Sequence, residues 1–271
     1  MVLLAGCVGE SEENDIVRFS EEEETTLYEQ AFVEAMEGKA DGPDCAGTWV
    51  PDRPPFRKAV ALTFDDGPRP GPTSTILQIL RRHQVPATFF INGVRLRSPE
   101  AERIAREIAQ DPLFILANHT WSHPDMSRIP ATRVATEIDD TTAVMQQVGE
   151  TLRYFRFPFG SSTCSTARAV RERQYTIVGW HIDSADWCYA AGNGVCPRNR
   201  FRFVDDDVRD NMVEYVLRQV RARGGGILLF HDIHPHTAAN IERLIMALKN
   251  EGYRFVAIND PSVFPMLNRN R

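Results

Sequence analysis

At 271 residues with 42% hydrophobic content, the chain is long enough to bury a substantial core, as one large α/β domain or two small ones, and a single barrel-like domain is the preferred reading. A net charge of −6 with no Lys/Arg-rich stripe argues against a nucleic-acid surface, which needs many phosphate-neutralising cations. No run of 18 apolar residues occurs, so no segment is long and apolar enough to cross a bilayer as a helix.

Taken from its start, the chain divides into a signal-like segment (1–7), an acidic spacer and lead-in (8–57) and a larger domain (58–271). Leu4-Ala5-Gly6-Cys7 resembles a bacterial lipobox, which implies a truncated signal, lipidation of Cys7 and an exported, lipid-anchored protein at the periplasmic face. The following stretch carries Glu21-Glu22-Glu23-Glu24, the composition of a solvated tether. Within it Ser20 and Glu23 have the spacing of a capping box, and Tyr28, Ala31, Phe32, Ala35 and Met36 have helical spacing, so a short helix ending at Gly38 is expected. Asp41 to Arg57 is rich in Pro, Gly and Asp and reads as an extended lead-in.

From Ala59 onward, strand-like and helix-like segments alternate. Apolar runs predict strands at Ala59–Phe64, Ala87–Asn92, Leu113–Asn118, Leu152–Phe157, Tyr175–Asp183, Gly226–His231 and Arg254–Ile258. Helical periodicity and caps predict helices at Thr73–His83, Pro99–Gln110, Ala131–Glu150, Thr166–Arg173, Asp205–Arg223 and Thr237–Glu251. Such alternation implies a parallel sheet with helices outside, either an open doubly wound sheet or a closed barrel. Cys45, Cys164, Cys188 and Cys196 contain no C-x-x-C pair, which in an exported chain favours disulfides over a zinc cluster. Of the three possible pairings, Cys188 with Cys196, closing the short Tyr189–Val195 loop, and hence Cys45 with Cys164, is the expected one.

The chemically capable residues collect at the C-terminal ends of the predicted strands, which is the functional face of parallel α/β folds. Asp65 and Asp66 close the first strand before a Gly67-Pro68 turn; the strand must bend for both carboxylates to serve one site, and Gly67 is expected to supply the bend through a positive φ. His119 and His123 follow the third strand, four residues apart, as one helical turn or a tight bend that grips one metal ion. Two imidazoles and one carboxylate leave room for water, a catalytic rather than a structural geometry. Zinc is the default by ligand type, with cobalt, nickel, manganese or iron also compatible. Arg156 ends the fourth strand, Asp183 and Asp186 follow the fifth and His231 ends the sixth.

These segments resemble the five motifs of the polysaccharide deacetylases of carbohydrate esterase family 4, the NodB-like domain, over about Ala59 to Ile258. Thr63-Phe64-Asp65-Asp66-Gly67-Pro68 is similar to the first motif, implying Asp65 as catalytic base and Asp66 as metal ligand. His119-Thr120-Trp121-Ser122-His123-Pro124 is similar to the second, implying that both histidines bind metal. Arg156-Phe157-Pro158-Phe159 resembles the third, in which the arginine orients the base and the residue after proline offers its backbone N–H to an oxyanion. The family usually has tyrosine where this chain has Phe159, which keeps the N–H and lacks the hydroxyl. Asp183-Ser184-Ala185-Asp186-Trp187 and Leu229-Phe230-His231 resemble the fourth and fifth, with His231 as general acid. The resemblance implies a distorted (β/α)7 TIM-like barrel and removal of N-acetyl groups from an amino-sugar polymer.

For His231, either Asp183 or Arg156 is expected to set its tautomer. Phe159, Pro158, Trp187, Asp186 and Leu229 are the expected oxyanion and substrate contacts, Trp187 and Phe159 by stacking on a sugar. His234 and His236 are read as loop residues rather than a second metal pair, and His181 as a satisfied core or rim histidine. The expected partner is an N-acetylated glycan, peptidoglycan by virtue of the tether, with chitin oligosaccharides, O-acetylated polysaccharide or simple metal and glycan binding as alternatives. Membrane association is expected only through a lipid on Cys7, and the oligomeric state is left open.

Overall fold

The computed structural model describes residues 45–149 and 154–269. Cys7, the acidic spacer and the predicted helix at Tyr28–Met36 lie outside them.

Eight strands are described: β1 (Ala59–Asp65), β2 (Ala87–Ile91), β3 (Phe114–Asn118), β4 (Tyr154–Phe155), β5 (Thr176–Ile177), β6 (Ile182–Asp183), β7 (Gly225–His231) and β8 (Arg254–Phe255). The helices are α1 (Pro72–His83), α2 (Pro99–Gln110), α3 (Ala131–Val148), α4 (Cys164–Glu172), α5 (Asp186–Ala191), α6 (Met212–Arg223) and α7 (Pro235–Asn250). The strands form one parallel sheet in the order β5-β4-β3-β2-β1-β7-β6, and β8 pairs with the start of β1. It is a curled, distorted (β/α) barrel with helices outside.

The expected long strand at Tyr175–Asp183 is divided because its partner changes. β5 bonds to β4 and β6 to β7, while between them the N–H groups of Gly179 and Trp180 donate to the carbonyls of Trp49 and Thr48 in the lead-in. The two edge strands are therefore consecutive in the chain, and the lead-in covers the gap where the barrel would close. Disulfide Cys45–Cys164 ties that lead-in to the first turn of α4.

Local signals explain two shifted helix boundaries. α4 begins at Cys164 because Thr163 caps it, with Thr163 and Thr166 exchanging side-chain and backbone bonds. The predicted Asp205–Arg223 helix breaks into a 3₁₀ turn at Asp206–Val208 and α6, since Asn211 accepts from the Glu214 N–H and starts the helix afresh.

The two-residue period of the strands sorts two cores. Leu62, Phe64, Phe89, Ile91, Leu116, Leu228 and Phe230 face the helices, with Phe64 stacked on Phe89 at 5.1 Å between ring centroids. Ala59, Ala61, Phe90, Ile115, Ala117 and Ile227 fill the barrel interior. Continuing the interior rows to the strand ends, four residues beyond Ala61 and Ile227 and two beyond Ala117, brings Asp65, His231 and His119 to the mouth, where Asp65 and His231 are register partners across β1 and β7.

Candidate functional site

The first motif bends at Asp66, not at Gly67. Asp66 has φ 75°, its N–H donates to Phe90 O at 3.1 Å, and its carbonyl accepts from Arg95 Nε. Gly67 is absent from the positive-φ positions and is required for space: a Cβ there would lie 2.1 Å from Asp232 Oδ2. Left-handed backbone at Asp66, rather than glycine freedom, turns the second carboxylate onto the same mouth as the first.

His119 and His123 meet through a tight bend in which Thr120 (φ 72°) and His123 (φ 60°) are left-handed. Asn118 Oδ1 accepts the Thr120 N–H at 2.8 Å, Thr120 Oγ1 accepts the His123 N–H at 3.1 Å, and Asn92 Nδ2 donates to His119 O at 2.8 Å. His119 Nδ1 lies 2.8 Å from Arg156 O, so it carries the proton and Nε2 presents its lone pair to the mouth. One ligand atom from each of Asp66, His119 and His123 lies within 4.8 Å of the others. Asp66 Oδ1 and His123 Nε2 are buried without hydrogen bonds although 3.2 Å apart. Burial holds the His123 imidazole down to about 4, hence neutral. Burial opposes ionisation of Asp66, but His123 and His119 together hold its carboxyl well below the usual range. Neutral imidazoles, an ionised carboxylate and two orphaned polar atoms aimed at one point fit a divalent cation.

Arg156 is fully buried beneath this cluster. Its Nη1 donates to Asp65 Oδ1 at 2.7 Å and Thr63 Oγ1 at 2.9 Å, Nε to Val178 O at 3.1 Å and Nη2 to Gly179 O at 3.0 Å, with the guanidinium 4.2 Å from the Phe90 ring centre. The fork thereby fixes Asp65 with Oδ2 turned toward His119 Nε2, 3.7 Å away.

Neither Asp183 nor Arg156 orients His231, contrary to expectation; Asp186 does. Asp186 Oδ2 accepts the His231 N–H at 2.7 Å and the Thr237 hydroxyl at 2.6 Å, and Oδ1 faces His231 Nδ1 at 2.8 Å. Burial opposes the charge on His231, yet the Asp186 carboxylate raises its pKa and the imidazole lowers that of Asp186. Asp186 is wholly buried with its oxygens turned to those partners, so it is not the expected substrate contact. Asp183 is spent on the loop: Oδ1 accepts the Ala185 N–H at 2.8 Å, and burial pushes its carboxyl up to about 6. The swap arises because Ala185 is left-handed (φ 54°) and starts α5, reversing which aspartate points inward.

A cavity of about 630 Å³ opens over these groups. Phe159 and Trp187 line it as expected, Phe159 edge-on to His123 at 4.6 Å between ring centroids and left-handed (φ 57°) after Pro158. Leu229 does not line it: this residue, 1% exposed, lies between β1 and β6 one layer below His231. His234 caps α7 and His236 lies in its first turn, both on the cavity wall and outside the metal cluster. His181 is satisfied, with Nδ1 accepting the Ile227 N–H at 2.9 Å and Nε2 lying 3.0 Å from Asp52 O. Cys188 pairs with Cys196 and Cys45 with Cys164. Thr237, Arg95, Asn92 and Asp232 were not predicted; each acts through a fold-dependent contact, and only the adjacency of Asp232 to His231 offered a signal.

A family model described as polysaccharide deacetylase matches residues 52–178. A chitooligosaccharide deacetylase of a Bradyrhizobium species is 32% identical over 212 residues, 72% of this chain and 87% of that protein. The peptidoglycan-N-acetylglucosamine deacetylase of Listeria monocytogenes is 32% identical over 215 residues, which cover 78% of this chain but only 41% of that longer relative. The solved chitin deacetylase of Colletotrichum lindemuthianum shares the fold, with a TM-score of 0.65 at 24% identity over 79% of this chain and 91% of its own.

Proposed function

The chain belongs to the polysaccharide deacetylase family, and from that premise we propose that it is a metal-dependent hydrolase that removes N-acetyl groups from an amino-sugar polysaccharide, peptidoglycan in particular. The observation that carries this reading is the pairing of two proton-handling groups, Asp65 held by Arg156 and His231 held by Asp186, across one three-ligand cluster. A pure binding protein needs neither group.

Asp66, His119 and His123 would hold a divalent ion, zinc by donor type with cobalt, nickel, manganese or iron compatible, which would supply Lewis acidity and acidify bound water. Asp65 takes the proton of the attacking water as its oxygen bonds to the carbonyl carbon. The Phe159 backbone N–H contributes to stabilising the oxyanion, a type of donor worth about 3–4 kcal/mol. His231 gives a proton to the sugar nitrogen as the C–N bond breaks, leaving acetate and a free amine, and Asp186 stabilises the imidazolium and holds its orientation.

Peptidoglycan is favoured by the Listeria relative and by the lipobox-like Cys7 with its acidic tether, which would confine the site to the membrane-proximal wall. In this reading the protein is exported and lipid-anchored at the periplasmic face. The test is to digest intact sacculi with and without prior enzyme treatment and weigh the muropeptides. Each removed acetyl appears as an acetyl-for-hydrogen mass loss. No loss, alongside brisk turnover of chitin oligomers or acetylated xylan, overturns the substrate assignment.

A further inference from the structure

Between β2 and α2 the chain makes a short 3₁₀ turn, Gly93–Arg97, which belongs to none of the five motif segments yet bonds to the two that carry the metal ligands. The turn is closed by the Arg95 N–H on Asn92 O at 3.1 Å and anchored by Leu96, which is buried in the helix-side core. Asn92 to Arg95 donate from it without a gap. Toward the first motif, the Asn92 N–H reaches Gly67 O at 3.1 Å and Arg95 Nε reaches Asp66 O. Toward the second, Asn92 Nδ2 reaches His119 O at 2.8 Å, the Gly93 N–H reaches Thr120 O at 3.0 Å and the Val94 N–H reaches Trp121 O at 3.1 Å. Gly93 is required for this approach, since a Cβ there would lie 2.6 Å from Trp121 Cε3 and 2.7 Å from Thr141 Oγ1.

β2 lies between β1 and β3 in the sheet, so the residues that follow it emerge between the two ligand loops. Those loops contain left-handed non-glycine residues, Asp66 at φ 75° and Thr120 at φ 72°, where the backbone turns that bring Asp66, His119 and His123 together are made. Such a conformation persists only where its surroundings over-determine it. We propose that Asn92 to Arg95 form a brace that sets the spacing of the three metal ligands, with Arg95 the positioning residue for Asp66 and Asn92 the positioning residue for His119. The brace rests on the metal-site reading above. Charge alone predicts the opposite effect of Arg95. Burial is the main cause of the lowered His123 pKa, and the Arg95 guanidinium is among the positive charges that add to it, so Arg95 is near enough to repel a divalent cation. Removing Arg95 should therefore tighten metal binding if it acts only through its field, and weaken binding if it holds Asp66 in place.

Titration of the chelator-stripped full chain with cobalt(II), read by visible absorption, reports affinity and ligand geometry without turnover. Arg95→Met keeps the apolar stem of the side chain and removes both the charge and the donor. It is expected to bind cobalt about tenfold more weakly than wild type, the scale of losing an outer contact to a metal ligand, with an altered pattern of d–d bands. Asn92→Ala, acting on the second motif, is expected to weaken binding to a similar degree. Denaturant unfolding of each metal-free variant establishes that it is folded under the titration conditions. While the native population stays near one, a lowered midpoint by itself moves neither Kd nor spectrum, so the readout separates positioning from general stability. Unchanged or tighter cobalt binding in Arg95→Met overturns the proposal, as does unchanged binding in Asn92→Ala. Failure of the wild-type chain to bind cobalt overturns the metal-site reading itself, and the brace with it.

Discussion

Asp186 grips His231 at two points, the backbone N–H at 2.7 Å and Nδ1 at 2.8 Å, and is itself held by the Thr237 hydroxyl at 2.6 Å. One carboxylate therefore sets the position, the tautomer and the proton affinity of the imidazole at once. Nδ1 is committed to Asp186, which leaves Nε2 as the atom that serves the cavity.

Asp186→Asn is expected to lower kcat by about 10²-fold or more, the usual contribution of a positioned general acid. Because Asp186 raises the His231 pKa, its removal moves the alkaline limb of the pH–rate profile to lower pH. An unmoved limb removes Asp186 from control of the acid.

Arg156→Gln leaves Asp65 buried without its cation and strips the carbonyls of Val178 and Gly179 of their donors. A destabilisation of about 3–5 kcal/mol is expected from breaking a buried pair on one side, read as a lowered denaturant midpoint. Asp65→Asn should instead keep the metal and lose most turnover, since Asp65 lies outside the three-residue ligand set. Retained activity across the pH range refutes its role as base.

Chelator-stripped protein should melt earlier than metal-loaded protein and regain its Tm on adding zinc, by about 2.7 kcal/mol when free metal is 100 times Kd. His119→Ala should show neither metal content by elemental analysis nor the rise in Tm. Equal metal content in the two proteins sinks the site assignment.

His181 predicts an acid-side loss of stability away from the mouth. Burial lowers its pKa from 6.5 to about 4, and protonation would place a hydrogen on Nδ1 against the Ile227 N–H. Between those values the unfolded chain binds a proton that the folded chain does not, so stability falls as pH drops from 6.5 toward 4. The slope is about 1.4 kcal/mol per pH unit. Melts of His181→Gln across this range should show a flatter pH dependence than wild type; parallel curves contradict the assignment.

The two disulfides should contribute unequally. Cys45–Cys164 spans 119 residues of sequence and Cys188–Cys196 spans 8, which by loop entropy gives about 5 and about 2.5 kcal/mol. Denaturant unfolding of the paired Cys→Ser variants checks the order. If the short bridge proves the more stabilising, it acts mainly by bracing the cavity wall.

Much of the site was legible because strand periodicity and motif spacing are local. Asp65, His119, Arg156 and His231 follow apolar runs whose ends can be read directly, and a parallel sheet gathers such ends at one rim. Where the residues were legible but their partners were not, the cause was backbone conformation. Positive φ at Asp66 and Ala185 decides where two carboxylates point, and nothing in Asp-Asp-Gly-Pro or Asp-Ser-Ala-Asp specifies it.

By itself the sequence pointed to the parallel α/β alternation, the family, the short Cys188–Cys196 pair and the strand-end residues brought to the barrel mouth, because these follow from local pattern and motif. Only the tertiary structure decided that Asp186 rather than Asp183 serves His231, that Leu229 stays below the cavity, and that the Tyr175–Asp183 stretch divides where the lead-in bonds to it. Those outcomes depend on contacts between segments far apart in the chain. A carboxylate takes whichever partner the folded backbone places within about 3 Å, and that placement is a property of the closed barrel rather than of any one motif.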